Sequence, residues 1–385
     1  MIYIVVLLFL LFLSLQYDLF NVRTGQGFWY TLMLIVLVCI AGLRYRVGGD
    51  TLSYIDEYDQ IPYFSQLLKY NFIGSRWDPL WVVFSSICRS INPDFVFLQC
   101  MHALIVNTII FRFIKRNTQY RFTGILLYYM FAYLYFNMEI LRESLASAVF
   151  LVSLKYYQQK RYLIYYLISA VAFLIHSSAI VLFVIPFFSM LKLNKWTVGL
   201  LICVFSVLFI FQEKINTLLA LFYFNQRIES KAETYKDFNL NIFGTIINVV
   251  RFCILPIYLL YIGQKFLKYT YRFSFLILVM AGIGIVTIYI PIFARFNNYM
   301  TIIYVTFLTE FLNKLFRYRP IAMAKYLTVG FLFALISFVQ LYPYFDDTSR
   351  YAMGTRRYNY WYPYYSIFNK EQDAKRERLR YGEYR

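Results

Sequence analysis

The chain has 385 residues, of which 61% are hydrophobic and only 15% are charged. Soluble domains usually carry about a quarter charged residues, so the composition excludes an ordinary soluble enzyme and indicates a chain whose solvent is mostly lipid. A net charge of +18 would suggest nucleic acid as a partner of a soluble protein. Here the basic residues lie in short clusters between apolar runs, as in the cytoplasmic loops of membrane proteins, and we expect no nucleic-acid partner.

Apolar runs long enough to cross, or nearly cross, a hydrocarbon core of ~30 Å recur along the chain. They predict an all-α fold, a polytopic transmembrane bundle of about twelve helices in the cytoplasmic (inner) membrane. The apolar N-terminus lacks the features of a cleaved signal peptide and predicts a retained first helix. A weaker run, 79–93, is predicted to be re-entrant or interfacial. The candidate helices are 2–16, 28–44, 96–114, 122–138, 140–155, 162–176, 177–191, 197–212, 242–262, 273–293, 297–314 and 325–342.

Basic loops predict the orientation, because cytoplasmic loops are enriched in lysine and arginine. The resulting count of hairpins places Arg142, His176 and Arg295 at the external face, with 213–240 as an external, amphipathic loop. We expect one transmembrane domain over 1–345, followed by an aromatic and basic tail over 346–385. The hairpin count places this tail outside, whereas its basic residues favour the cytoplasm. The cationic loops are 115–121, 155–161, 192–195, 263–272 and 314–325.

The first polar motif, RYRVGGDTLSY, begins at Arg44, directly after the second candidate helix. Arginines at a membrane edge can hold a phosphate in a bidentate fork. The glycine pair lets the backbone turn sharply or approach a ligand closely. A snorkelling helix boundary with Asp50 as the N-cap of the next helix explains the motif equally well. The candidate site residues are Arg44, Arg46, Gly48, Asp50, Thr51 and Tyr54.

The second motif places Glu139, Arg142 and Glu143 on one face at helical spacing. Charges at the end of a membrane helix are costly unless they are paired or hydrated. One interpretation is a Glu139–Arg142 ion pair that only neutralises both groups. The other, which we favour, is an arginine held by two carboxylates and directed at a cavity.

The remaining candidates are single residues in apolar surroundings. His176 lies at a predicted turn and can act as a base near neutral pH, although a lone histidine is more often a structural group, as we expect for His102. Arg251 lies deep in a candidate helix, where an arginine should face protein or water. Arg295 and Tyr299 follow a proline and are candidate anion-binding residues.

The sequence offers no metal or cofactor site. Its five cysteines are widely spaced and are interpreted as buried apolar residues. It contains no HExxH, P-loop, GxSxG or DxD motif, and we expect no cofactor. The aromatic run in the tail, YNYWYPYYSIF, is typical of an interfacial belt, although such rings also stack on sugars.

In chain order, GLRYRVGGDT, LRESLAS, FLIHSS, ARFNNY and YPYYSIF together resemble the EpsG family of Wzy-like polysaccharide polymerases. The resemblance spans nearly the whole chain. Members commonly have glutamine after the central arginine, where this chain has Glu143. The motif positions of the family correspond to Arg44, Gly48, Asp50, Thr51, Tyr54, Arg142, His176 and Arg295.

The resemblance implies synthesis of extracellular or capsular polysaccharide. The enzyme would join oligosaccharide repeat units carried on undecaprenyl diphosphate at the external face of the cytoplasmic membrane. Arg142 and Arg295, with Arg44, would neutralise the leaving diphosphate. His176, or a carboxylate such as Asp50 or Glu139, would accept the proton of the attacking hydroxyl, and direct displacement would invert the anomeric centre. A chain-length regulator and a flippase of the same pathway are the implied protein partners, besides membrane lipid.

Two other functions also fit an arginine-rich membrane cavity. A flippase or transporter of lipid-linked oligosaccharide would more often show symmetric repeats, and none is evident. A membrane acyltransferase acting on sugars would use His176 as its base, but it requires a cytoplasmic path for the acyl donor.

Overall fold

The computed structural model describes residues 2–72, 74–211, 242–317, 322–345, 347–348 and 354–381. Within these ranges the chain is helical, and the only β-pairing is in isolated bridges. The predicted all-α class is thus confirmed for the described residues, whereas the number of about twelve membrane crossings stays a prediction. Three described helices are long and apolar enough to cross a membrane, namely Ile2–Leu19, Phe95–Asn117 and Gly244–Lys265. The predicted external loop 213–240 lies outside the described residues.

The chain divides into two compact units. Residues 1–183 and 340–385 form the first unit, so the tail that the sequence sets apart packs with the N-terminal helices. Residues 184–339 form the second unit.

The first unit contains most of the predicted site. Its helices are α1 (Ile2–Leu13), α2 (Gln26–Gly42), α3 (Thr51–Tyr58), α4 (Pro79–Ile91), α5 (Phe95–Asn117), α6 (Arg121–Tyr128), α7 (Leu134–Met138), α8 (Leu141–Gln158), α9 (Tyr162–Ile175) and α10 (Val181–Val184). π-Helical turns follow α1 at Ser14–Leu19 and separate α6 from α7 at Tyr129–Tyr133. 3₁₀ turns lie at Phe64–Lys69 and Ser177–Ile180. In the tail, 3₁₀ turns at Tyr342–Phe345 and Arg357–Tyr360 precede a short C-terminal helix, Ala374–Tyr381.

The second unit contains α11 (Lys195–Ile210), α12 (Ile242–Val249), α13 (Leu255–Lys265), α14 (Ser274–Tyr289), α15 (Ala294–Arg317) and most of α16 (Ala322–Leu341). 3₁₀ turns lie at Ile185–Met190 and Pro291–Phe293, and a π turn at Val250–Ile254 joins α12 to α13.

The predicted helix 122–138 consists of α6, the π turn and α7. Hydropathy does not distinguish a π turn from an α-helix, because both leave an apolar run uninterrupted. The segment α4 is a 13-residue helix of about 20 Å, which is too short to cross a ~30 Å core upright. The re-entrant placement of 79–93 stays a prediction.

A buried polar network joins α5 to α7 next to the break between α7 and α8. Asn107 Nδ2 donates to Asn137 Oδ1 at 2.7 Å, Asn137 Nδ2 donates to Tyr128 Oη at 2.9 Å, and that hydroxyl donates to Asn107 Oδ1 at 2.9 Å. His102 of α5 is fully buried, and its Nε2 lies 2.9 Å from the Leu141 carbonyl oxygen and 3.0 Å from Ser144 Oγ. Satisfied buried networks hold elements in one arrangement, and these two fix the start of α8, where Arg142 and Glu143 lie.

Candidate active site

The loop after α2 is built around the side chain of Arg44, which is completely buried. Its Nε donates to the Val47 carbonyl oxygen at 2.8 Å, and its Nη1 donates to the carbonyl oxygen of Ala41. The last carbonyl groups of a helix have no N–H donor within the helix, and the Arg44 guanidinium supplies a donor for the Ala41 carbonyl. Arg44 therefore shapes the loop: its described contacts are the backbone of its own segment and the Thr51 hydroxyl, 3.5 Å from Nη2.

The two glycines of the motif bring this loop against the break between α7 and α8. Gly48 has a φ of +124°, and a Cβ there would overlap the carbonyl oxygen of Met138. A Cβ on Gly49 would lie 2.7 Å from Glu139 Cγ. Thr51 Oγ1 lies 3.2 Å from the same Met138 oxygen and 2.8 Å from the Val47 oxygen. Gly48 is thus required by a close approach to the Met138 backbone, and Gly49 leaves room for the Glu139 side chain.

The C-terminal tail closes over this loop. The amides of Tyr45 and Gly48 donate to the carbonyl oxygens of Tyr365 and Tyr360 at 2.9 and 2.8 Å. Arg46 forms a two-pronged ion pair with Glu377, with Nε–Oε1 at 2.8 Å and Nη2–Oε2 at 2.7 Å. Arg46, a predicted substrate-binding residue, therefore holds the tail in place in this structure.

Arg376 adds three backbone contacts to the same closure. Its guanidinium donates to the carbonyl oxygens of Arg46 at 3.0 Å, Asn359 at 3.2 Å and Pro363 at 2.6 Å. The residue is 1% exposed, so this arginine of the basic tail binds the backbone of the protein itself. The tail, the loop after α2 and Glu139 consequently share one face of the first unit.

Glu139 lies outside the helices, between α7 and α8, with backbone angles of φ −118° and ψ −64°. Its Oε2 lies 3.3 Å from Nη2 of Arg357 in the tail, and its Oε1 is buried without a hydrogen-bond partner. Burial raises the pKa of the Glu139 carboxyl to about 7, an effect that the Arg357 guanidinium opposes. The interpretation of Glu139 as the partner of Arg142 is replaced by a described pair with Arg357. Asp50, the other candidate carboxylate, is exposed.

His176 lies between two carboxylates that come from different helices. Its Nδ1 is 3.2 Å from Oδ2 of Asp78, which directly precedes α4, and its Nε2 is 3.6 Å from Oε2 of Glu143 in α8. Helix α9 ends at His176 in an extended backbone conformation. The imidazole is 6% exposed and Asp78 is 23% exposed, so the group is buried but adjoins an accessible carboxylate.

Arg142 lies one residue before Glu143 and is half-buried. Its guanidinium carbon is 5.7 Å from the centre of the Tyr54 ring, and the guanidinium also interacts electrostatically with Glu57 and Asp78. Cation–π contacts of this kind fix the plane of a guanidinium without neutralising its charge. The Arg142 guanidinium and the His176 imidazole of the predicted site therefore both interact with Asp78.

Comparison with known proteins adds one finding. A family model described as EpsG family matches residues 27–366. The chain belongs to the EpsG family. No curated protein and no solved structure gives a significant match. Membership in the EpsG family, with the apolar helices, identifies a membrane protein of polysaccharide biosynthesis, and the matched range includes the loop after α2, the α7–α8 break and His176.

Three predicted residues of the EpsG-family chain lie in the second unit. Arg251, in the π turn before α13, is half-buried and interacts electrostatically with Tyr304 of α15. Arg295 is half-buried in the first turn of α15, and Tyr299 is completely buried one turn later. The gathering of these residues with Arg142 and His176 stays a prediction.

Asp78, Glu57 and Arg357 were not among the residues predicted from the sequence, and Glu143, predicted as one of two carboxylates that hold Arg142, lies 3.6 Å from His176. Asp78 precedes Pro79, and the Asp-Pro pair was interpretable only as the start of a helix. In the described residues no group of three histidine, cysteine or acidic side chains could hold a metal ion.

Proposed function

We propose that this EpsG-family protein is a repeat-unit polymerase that joins oligosaccharides carried on undecaprenyl diphosphate by metal-independent glycosyl transfer. The observation that supports the proposal most directly is the arrangement of His176 between Asp78 and Glu143, beside the Arg142 guanidinium. A base and a fixed cation within one buried cluster are what this transfer requires.

The imidazole is the proposed base. Nδ1–H donates to Asp78, which fixes the ring and leaves Nε2 as the acceptor. The separation of 3.6 Å between Nε2 and Glu143 Oε2 is too long for a strong hydrogen bond, and a sugar hydroxyl placed to one side of the two atoms would be within reach of both. Proton transfer from that hydroxyl to Nε2 would form an imidazolium flanked by two carboxylates, which stabilise its charge.

The donor side of the reaction requires a cation. As the acceptor oxygen bonds to the anomeric carbon, the bond from that carbon to the diphosphate oxygen breaks and its electron pair leaves with the diphosphate. Arg142, held on the Tyr54 ring, would neutralise this developing charge. We propose Arg251, Arg295 and Tyr299 as further substrate-binding residues, and Gly48 and Thr51 as residues that position the loop. Attack by the hydroxyl itself, without a covalent intermediate, would invert the anomeric configuration.

The test is complementation of a strain that lacks this chain. H176Q and R142K should each reduce polymer by more than about a hundredfold at normal membrane abundance, because each removes a group that acts in the transition state. Lipid-linked single repeat units should accumulate. R112K is the matched control, because Arg112 of α5 is exposed and should leave polymer unchanged. Full polymer from H176Q would contradict the proposal.

The same strain distinguishes a polymerase from a flippase. A polymerase defect leaves single repeat units at the external face, accessible to added enzymes, whereas a flippase defect retains them inside. Single cysteines at positions 142, 176 and 295, in a background without the five native cysteines, should be labelled by a membrane-impermeant maleimide added outside. Labelling only after the membrane is opened would place the site on the cytoplasmic side and exclude the proposed reaction.

A further inference from the structure

A groove in the second unit has no part in the proposed reaction. It lies between the start of α11 and the face of α13 and has a volume of about 780 Å³. Apolar and aromatic side chains form its wall, among them Ile257 and Val198, while two lysines and two amide side chains lie at its edge. Ile254 and Tyr258 are 55% and 51% exposed, so the groove is open along its side.

On α13, the amide and ammonium groups that line the groove, Gln264 and Lys265, lie at the C-terminal end of the helix. Along α13 and the turn before it, the lining runs from Cys253 to Lys265, a rise of roughly 18 Å. Lys195 is the first residue of α11, and Lys265 is the last residue of α13. The apolar wall therefore extends from a charged rim over about the thickness of one leaflet, half of a ~30 Å core.

Both lysines are held at the rim by aromatic neighbours. Lys265 Nζ donates to Tyr261 Oη at 2.7 Å, and Lys195 Nζ lies 5.4 Å from the Trp196 ring centre. None of these groups is an acid, so the two ammonium groups are left without an anionic partner among the residues lining the groove. Lys195 and Lys265 belong to the basic loops 192–195 and 263–272. Basic loops of this kind predict the cytoplasmic side of the membrane, where anionic lipids are present.

We propose that this groove binds an anionic glycerophospholipid of the cytoplasmic leaflet, with the phosphate between Lys195 and Lys265 and an acyl chain along Ile257. Charge complementarity at the rim and the match of length to one leaflet select this occupant. A zwitterionic lipid would fill the apolar wall but would bring the cation of its own headgroup close to the two ammonium groups. The proposal is independent of the polymerase reaction.

The experiment measures lipid retained by the full-length protein. The protein is reconstituted in nanodiscs of phosphatidylglycerol and phosphatidylcholine in equal amounts, extracted in mild detergent, and analysed by native mass spectrometry. We expect preferential retention of one phosphatidylglycerol. K195A/K265A should lower its affinity about thirtyfold, since each lysine near an anionic lipid contributes roughly a fivefold effect. I257W, which fills the wall, should also lower retention.

K192A/K268A is the matched control, because Lys192 and Lys268 are exposed in the same two loops but do not line the groove. This variant should retain phosphatidylglycerol as the unmodified protein does. Equal loss in both double variants would overturn the proposal by showing a general charge effect. Unchanged retention in K195A/K265A, or displacement of the lipid by low concentrations of undecaprenyl phosphate, would overturn it as well; the latter would assign the groove to the substrate's chain.

Discussion

The closure of the tail over the loop after α2 can be measured through the Arg46–Glu377 ion pair. We expect Arg46→Gln and Glu377→Gln each to loosen the tail, and the double variant to lose little more than either single one. Glu377→Gln keeps the side-chain size, Arg46→Gln shortens the side chain, and each removes one charge of the pair. A double-mutant cycle then isolates the interaction between the two side chains.

The magnitude follows from the geometry of the pair. Two charge-assisted N–H···O bonds of 2.8 and 2.7 Å connect side chains that are 19% and 20% exposed. Hydrogen bonds to charged groups contribute about 1.5–3 kcal/mol each, and the access of water to these partly exposed side chains reduces this contribution. A coupling energy of about 2 kcal/mol corresponds to roughly a thirtyfold change in the equilibrium for detachment of the tail.

Amide hydrogen exchange reports that equilibrium at a defined place. The amides of Tyr45 and Gly48 are bonded to tail carbonyl oxygens, so they exchange when the tail detaches. In detergent-solubilised protein, the peptide covering 43–51 should exchange about thirtyfold faster in either single variant.

The matched control is Arg356–Asp347, a second tail ion pair with a separation of 3.7 Å and side chains that are 51% and 54% exposed. Exposed pairs of this kind contribute little, and R356Q should leave exchange at 43–51 within about twofold. Unchanged exchange in R46Q and E377Q, or an equal effect of R356Q, would show that the Arg46–Glu377 pair does not hold the tail.

Two further predictions concern the α7–α8 break. Gly48→Ala should abolish stable accumulation of the protein in the membrane. It combines backbone strain at φ +124° with overlap of the Met138 carbonyl oxygen, at a cost of more than about 3 kcal/mol. Gly27→Ala is the control and should have no effect, because a Cβ there meets open space. The pKa of Glu139 is raised from 4.5 to about 7, which means that the folded protein favours the protonated carboxyl. The contribution of the protonated carboxyl to folding stability is therefore complete below pH 4.5 and is lost as pH rises through about 7. Glu139→Gln should remove that part of the decline in the melting temperature, measured between about pH 5 and pH 8, and an unchanged pH profile would contradict the assignment.

Apolar run length predicted most helices of the first unit because lipid-facing and core-facing positions are both apolar in a membrane bundle. The run 96–114 corresponds to Phe95–Asn117, and the turn predicted at 176–178 coincides with the end of α9. The glycine pair was predicted to allow a sharp turn or a close approach to a ligand, whereas in the structure it allows a close approach to Met138 and Glu139 of the same chain.

Pairing of charges could not be predicted, because it depends on where helices end and on approaches between distant segments. Spacing placed Glu139 on the face of Arg142, but the helix starts only at Leu141, so the i, i+3 relation does not apply. Glu139 instead meets Arg357, 218 positions later. Similarly, Arg44 looked like a free guanidinium at the membrane edge, yet the unpaired carbonyls at the end of α2 bind it.

Asp78 is likewise brought to His176 from a distant part of the chain. A substitution at Asp78 separates a positioning role from a structural one. Its side chain makes no capping hydrogen bond to α4, although it occupies the N-cap position; it interacts instead with His176 and with the Arg142 guanidinium. Asp78→Asn keeps the shape but allows the imidazole to adopt the other tautomer. We expect normal abundance and an unchanged KM for the lipid-linked substrate, with kcat lowered about a hundredfold or more, as for loss of general base catalysis. Asp94→Asn is the matched control: Asp94 caps α5 directly through the Val96 amide, asparagine caps a helix about as well as aspartate, and the substitution should leave abundance and kcat unchanged. If Asp78→Asn instead raised KM or reduced abundance while kcat stayed constant, Asp78 would be a binding or packing residue, and the proposed base would have to act without it.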